Sequence, residues 1–556
     1  MIDKDIALSI QGNPISPGLA EGVIHVHHGL SGPIDASEDI EKNNVEEEYS
    51  RLDIATARIS NDLFVLATRV EKEIDSRLAQ VFGAHQLILD DSSLRKELRK
   101  EIVDNLVSAS SAVKSVFLRW EKRFLLMESQ IARDKSDDIR DISIRLRSAL
   151  AGITLHPLED IPSGCVLATS RLLPSDTVFL TGRSTSAVLL EHGSSGSHAA
   201  LFAREIGLPC ISNLHDLLTI APQGACALVD ADTGTVTFRP QGKQKDIFRK
   251  RINDKKHAFI QALKCAQKSA ITRDNVTISV LANVGCKEDA DRAKLNGAEG
   301  IGLYRIEQVY LGRATPPDLG ELLEEMRQTL EVMKDRPVCI RLLDIGADKP
   351  LPFLRFLAET NPSLGRRGIR LLLEYPELLK LQLRAALEIS REFNIQVLVP
   401  MVTLSDDIVA VKEYLTQLAS ELQIASLPKL GAMIETPAAA FSAREIAKHV
   451  DFLSFGTNDL TQYIYAADRE NAAVEQYFND SSDVIFRILR MVHDDVPEVP
   501  LSVCGELGGY PEQVSKLLQC GIRTFSVSTP LISVIKEAIR NSSCGASLTR
   551  SNHADY

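Results

Sequence analysis

Residues 431–462 read GAMIETPAAAFSAREIAKHVDFLSFGTNDLTQ, and the fold is decided by how this stretch is read. An apolar run at 431–434 meets a carboxylate at Glu435, and a helical stretch opened by Pro437 follows. A second apolar run at 452–455 then meets Asn458 and Asp459. Apolar strands without alternation suit a parallel sheet covered on both faces. A strand that ends in polar residues and turns into a helix is one β/α unit, and its polar end marks the reactive face.

The same rhythm extends outward, with strand candidates at 277–282, 300–304, 338–343, 396–400, 501–504 and 524–527. About eight such units in ~270 residues have the size of a (β/α)8 barrel, which places one at 271–545, ahead of a tail at 546–556. Upstream, 241–270 is rich in Lys, Arg and Asp at helical spacing and reads as a linking helix. Residues 148–240 alternate short β-like runs with Gly, Pro and Asp turns, and residues 1–29 share that texture. Between those two pieces, apolar residues step from Leu52 through Ile59, Leu63, Leu66, Val70, Ile74, Leu78 and Val81, which predicts one long helix. A polar turn at 90–93 and three shorter helical stretches around 94–106, 113–127 and 139–150 follow. The expected organisation is a small α/β domain in two pieces, 1–29 and 148–240, with a helical bundle at 30–147 inserted into it.

Bulk properties narrow the function. The chain has 556 residues, 44% of them hydrophobic and 25% charged, and a formal net charge of −12. That balance argues against a nucleic-acid binder, which needs a basic footprint, but not against a small anionic substrate met by a local arginine cluster. The start, MIDKDIALSI, lacks a signal-peptide pattern, and no apolar run approaches ~18 residues. Nine scattered cysteines without a CxxC pair suit a reduced compartment, so a cytoplasmic location is expected.

Two constellations carry chemistry. In GSSGSHAAL, 193–201, small residues lead into a helix that Ser197 could cap, with His198 at its start. Backbone N–H groups at such a position hold anions, and neutral imidazole accepts a phosphoryl group. Read alone, a histidine near a turn is more often an ordinary surface or core residue. The second constellation lies at the strand ends: Arg305, Arg341, Asp344, Asp348, Lys349, Arg367, Glu435, Asn458, Asp459, Arg469 and Cys504. Guanidinium forks match phosphate and carboxylate. Two carboxylates, Glu435 and Asp459, suit one Mg²⁺ that keeps waters. A cysteine at a strand end suits proton transfer to carbon, and the set together points to phosphoenolpyruvate. Each residue also has a bland reading: a surface ion pair, a helix cap, or a packing cysteine. His25, His27 and His28 alternate along a predicted strand and are expected on a solvated sheet edge rather than at a metal.

The run SHAALFAREIGLP, 197–209, resembles the phosphohistidine signature of enzyme I of the bacterial phosphotransferase system, pyruvate phosphate dikinase and phosphoenolpyruvate synthase. Further enzyme I-like motifs follow in order: GAEGIGLYR (297–305), LLDIGADKPLP (342–352), NPSLGRRGIR (361–370), MIETPAA (433–439), FGTNDLTQY (455–463), AADR (466–469) and SVCGELG (502–508). With SPGLAEG (16–22) and VFGAHQLILDD (81–91), the resemblance to enzyme I covers nearly the whole chain. It implies a swivelling phosphohistidine α/β domain carrying the helical insert, followed by a phosphoenolpyruvate-binding barrel. It further implies Arg305 and Arg341 on the phosphate, Lys349, Asn458, Asp459 and Arg469 on the substrate, and Glu435 and Asp459 on Mg²⁺. Cys504 would protonate enolpyruvate to release pyruvate, His198 would carry the phosphoryl group, the insert would bind the carrier HPr, and the barrel would form a homodimer.

Departures from the family pattern are Gly196 for Thr, Ile306 for Thr, Ala347 for Gly, Arg366 for Trp and Tyr510 for Asp. A dikinase or synthase would need a large ATP-binding domain, for which the chain offers neither room nor a Walker-type glycine loop. A slow protein that senses phosphoenolpyruvate through binding partners remains the rival from another class.

Overall fold

The computed structural model describes residues 7–27, 39–73, 76–125, 130–153, 156–181, 185–193, 198–311, 313–346, 351–354, 359–469, 471 and 474–545. Two compact units form, Met1–Lys255 with Arg469–Ala473, and Lys256–Asp468 with Val474–Tyr556.

In the first unit, eight strands make one sheet: β1 (Leu8–Gln11), β2 (Asn13–Ser16), β3 (Leu19–His27), β4 (Cys165–Thr169), β5 (Ala187–Leu190), β6 (Cys210–Ser212), β7 (Cys226–Asp230) and β8 (Thr235–Phe238). Their order is β1-β8-β7-β3-β4-β5-β6-β2. β3 and β4 are parallel neighbours, with Val23 opposite Cys165. The helices that lie between them in sequence are therefore an insertion between two paired strands. These are α1 (Val45–Glu73), α2 (Ser76–Asp90), α3 (Ser92–Asn105), α4 (Ala109–Leu125) and α5 (Gln130–Leu150).

The single long helix expected from Leu52 to Val81 is instead two, with Ile74 outside the described residues. α1 and α2 run back along each other, and the Gln86 amide donates to the Ser60 carbonyl over 2.9 Å. Leu63 and Val70 of α1 share one core with Ala79, Phe82 and Leu89 of α2. Apolar spacing thus carries on through the reversal, because it reports which face is buried and not the direction of the chain. α3 opens at Ser92 because the Asp91 carboxylate accepts from the N–H groups of Ser93 and Leu94, at 2.7 and 3.0 Å.

β3 pairs with β7 through Leu19–Val23 and with β4 through Val23–His27, so among the described residues the stretch carrying His25 and His27 has a strand neighbour on one side only, as an edge does. His28 lies outside the described residues. Two helices of the α/β domain, α6 (Pro174–Thr181) and α7 (His198–Glu205), lean on the insert. Asp141 of α5 accepts from the Ser175 N–H at 2.9 Å and its hydroxyl at 2.7 Å, while Val178 and Phe202 join the bundle core.

The second unit is a closed barrel. A helix, Gly242–Lys264, fills most of the expected linking stretch and leads to the short β9 (Ala270–Ile271). Then come β10 (Thr277–Val284), β11 (Ile301–Arg305), β12 (Val338–Arg341), β13 (Ile395–Val399), β14 (Lys429–Ile434), β15 (Phe452–Phe455), β16 (Leu501–Val503) and β17 (Thr524–Ser528). Each is parallel to the next, and β10 closes the ring by pairing with both β17 and β11. All eight predicted barrel strands are present. Leu303, Cys339, Leu398, Met433 and Cys504 form one buried cluster. Among the described residues, no helix is long and apolar enough to cross a membrane.

Candidate active site

Because the strands are parallel, the residues that end them share one rim. Across that rim, charged side chains alternate in sign. Arg341, ending β12, donates to Glu307 over 2.7 Å and to Asp344 over 3.4 Å. Arg367 grips Asp344 with two nitrogens, at 3.2 and 2.8 Å, and reaches Asp459 at 3.1 Å. The ladder therefore runs Glu307, Arg341, Asp344, Arg367, Asp459. Burial works against the charge on both arginines, but the surrounding carboxylates outweigh it and hold both pKa values above the usual range. Among the described residues, Arg341 Nε has no hydrogen-bond partner, which leaves a donor for an anionic ligand.

Glu435, just past β14, is 1% exposed. Its carboxylate accepts from the Met401 N–H at 2.5 Å. Its other oxygen lies over Gly456, so close that a Cβ there would sit 2.6 Å away. Burial, then Asp459 and Asp344, push the Glu435 carboxyl up to about 8 against the opposing pull of Arg367 and Arg341. Crowded oxygen donors of this kind suit a hard divalent cation, which would relieve their repulsion. Among the described residues, no three His, Cys, Asp or Glu side chains converge into a metal-holding group. A cation on Glu435 and Asp459 would therefore complete its shell with water and substrate oxygens.

Cys504 sits below this layer at 3% exposure, 3.4 Å from the Ser454 hydroxyl and 3.5 Å from the Phe455 carbonyl. Burial raises its thiol pKa; Ser454 and, more weakly, the charges of Arg341 and Arg305 pull it down. The thiol thus keeps its proton at neutral pH and can donate it. Asn458 and Glu506 hold each other, the amide donating to the carboxylate at 3.2 Å and the Glu506 N–H to the amide oxygen at 2.9 Å.

The structure brings Arg341, Glu435, Asp459 and Cys504 together, with Arg305 exposed at the end of β11 and Asn458 one residue before Asp459. Lys349 and Asp348 lie outside the described residues. Arg469 falls outside the barrel unit. His198 opens α7, but its side chain and the preceding 194–197 are not described. Sequence reading passed over Glu307, Met401 and Tyr463. The Tyr463 hydroxyl donates to the Ser363 carbonyl and accepts from Arg367 at 3.5 Å. Met401 stands just beyond β13, at the same strand-end position that singled out the others.

Known families match in the order of these elements. Residues 11–135 match the N-terminal region of PEP-utilising enzymes, 161–234 their mobile domain, and 261–544 their PEP-binding domain. A curated phosphoenolpyruvate-protein phosphotransferase of Geobacillus stearothermophilus is 33% identical over 94% of this chain and 91% of its own length. Those of Bacillus subtilis (strain 168) and Haemophilus influenzae are each 31% identical, over 89% and 96% of this chain and 88% and 94% of their own lengths. With a family model on more than half its length and full-length relatives above 30% identity, the chain belongs to the phosphoenolpyruvate-protein phosphotransferase family of PEP-utilising enzymes.

Proposed function

We infer that this chain takes the phosphoryl group of phosphoenolpyruvate onto His198 and passes it to the histidine of the carrier HPr, releasing pyruvate. This is the first step of the phosphotransferase system that drives sugar transport. The observation that carries the reading is the barrel rim, where alternating arginines and carboxylates lie above a buried, protonated thiol. Few substrates other than a phosphorylated enol acid use all three.

Phosphoenolpyruvate binds with its phosphate and carboxylate on Arg305, Arg341, Asn458, Arg469 and Lys349. Glu435 and Asp459 would hold Mg²⁺, whose charge would offset that of the transferring phosphoryl group. Neutral His198 attacks phosphorus in line; holding the two groups in place supplies on the order of 7–11 kcal/mol of the barrier. The bond from phosphorus to the enol oxygen breaks, and Cys504 delivers its proton to the methylene carbon, so the product is pyruvate. His198 opens α7, where helix N–H groups and the dipole favour the bound phosphate. HPr then takes the phosphoryl group while docked on the helical insert. A homodimer built through the barrel and a cytoplasmic location complete the reading.

The test incubates the full chain with Mg²⁺ and labelled phosphoenolpyruvate beside His198→Ala. An acid-labile, base-stable label that is absent from the variant, and that moves to added HPr, is expected. No label on the native chain, with phosphoenolpyruvate still bound, would overturn the carrier reading in favour of a sensor.

A further inference from the structure

The arginine that crosses the rim stands where a metal ion is needed. Arg367 spends Nε and Nη2 on Asp344 and Nη1 on Asp459, and both Arg367 and Asp459 side chains are 12% exposed. Its own loop is anchored by other groups. Arg366 pairs with Glu359 at 3.1 Å and Glu374 at 2.9 Å, and Arg370 donates to the Leu364 carbonyl at 3.0 Å and the Thr403 hydroxyl at 3.0 Å. Gly368, at φ +55°, lets the backbone turn where a Cβ would press on Met401 at 2.8 Å and on Asp344 at 3.2 Å. The guanidinium can therefore leave Asp459 without the loop leaving its place.

We propose that Arg367 is an internal counter-ion, occupying Asp459 until phosphoenolpyruvate draws it away and frees that carboxylate for the divalent cation. The proposal rests on the functional reading above, in which Asp459 holds the metal. With the guanidinium 3.1 Å from Asp459 Oδ1, a divalent cation brought onto the same carboxylate is repelled by Arg367 and competes with it for that charge, so metal entry costs much of the Arg367–Asp459 ion pair. An anionic substrate offers Arg367 a second partner and removes that cost. Reciprocity then requires that substrate tighten metal binding and metal tighten substrate binding by the same factor. The device keeps the phosphoryl-transfer site free of metal, and its carboxylates neutralised, while no substrate is present.

Mn²⁺ binding to the full chain, read by electron paramagnetic resonance with and without phosphoenolpyruvate, tests this directly. For the native chain, substrate should tighten Mn²⁺ by roughly tenfold or more. Arg367→Gln should bind Mn²⁺ roughly tenfold tighter than the native chain without substrate, and substrate should then add little. Arg367→Lys keeps a positive charge and should hold Mn²⁺ off, as the native chain does, which separates lost charge from lost folding. Arg367→Gln that binds free Mn²⁺ no better than the native chain, while melting at the same temperature, would overturn the proposal. Asp459→Asn isolates the underlying reading: if it binds Mn²⁺ as the native chain does, Asp459 is not a metal ligand and the functional reading of the site fails first.

Discussion

The backbone N–H of Met401, held in the left-handed region at φ 57°, donates to the Glu435 carboxylate over 2.5 Å. A non-glycine residue in that region costs on the order of 1–3 kcal/mol, and such strain gathers at functional sites. Here it directs a backbone donor at the most buried carboxylate of the rim. The donor helps Glu435 carry charge, yet burial, Asp459 and Asp344 still push its carboxyl up to about 8. An unfolded glutamate titrates near ~4.3. Between those values the folded chain holds a proton that the unfolded chain has released, so stability falls as pH rises through that window. Without metal, the barrel should melt at lower temperature at pH 8 than at pH 5.5, and Glu435→Gln should flatten that slope by a few kcal/mol in order of magnitude. Melting curves in chelator at four pH values decide it; parallel slopes would mean Glu435 is charged throughout.

Gly456 gives a geometric test of the same carboxylate. Its φ of −87° is open to any residue, so alanine meets no backbone penalty. The new Cβ would lie 2.6 Å from Glu435 Oε2 and 2.9 Å from its Cβ, and Glu435 has to move. Displacement near 1 Å in a transfer site costs up to about 100-fold. Gly456→Ala should lose labelling from phosphoenolpyruvate by roughly that factor while its circular dichroism stays native. Full labelling would show that Glu435 has slack that the packing does not suggest.

These two residues also show what was legible in the sequence. Glu435 ends an unbroken apolar strand, so strand-end logic alone found it, as it found Arg341, Asp459 and Cys504. The eight barrel strands were legible for the same reason: each is a short apolar run bounded by turns. Met401 escaped because its part is played by the backbone, and side-chain type says nothing of an N–H. Arg367 reads as a rim cation, but its bridge from Asp344 to Asp459 joins two separate β/α units, those of β12 and β15, and pairing over that distance has no local signature. The α1–α2 hairpin was lost because two helices facing one core present one continuous stripe.

Cys504 offers a kinetic test. Burial keeps the thiol protonated, which suits an acid that delivers a proton to carbon. A serine hydroxyl of similar size is a far weaker acid. Cys504→Ser should lower kcat for pyruvate formation by about 10²- to 10⁴-fold with KM for phosphoenolpyruvate close to native. In the native chain, alkylation mapped by mass spectrometry should modify Cys504 only at higher pH than a free small thiol, as its raised pKa requires. A large rise in KM at unchanged kcat would assign Cys504 to binding instead.

At the opposite end of the barrel, Lys536 separates stability from chemistry. It is 1% exposed, donates to the Gly297 carbonyl at 2.9 Å and pairs with Glu299 at 3.0 Å. Gly297 and Glu299 precede β11, whereas Arg305 ends it, so this cluster lies on the rim where strands begin. Removing one partner of a buried pair costs about 3–5 kcal/mol, because the other charge loses its compensation. Glu299 keeps some exposure, so Lys536→Ala should fall near the lower end, and Lys536→Met, which refills the volume, should lose less. Both variants should melt at lower temperature yet turn over phosphoenolpyruvate with KM and kcat within about twofold of native, since conservation of geometry at one rim does not require the other. Calorimetry and steady-state kinetics on the same samples make the comparison. A kinetic loss that follows the melting loss would mean the two rims are mechanically coupled.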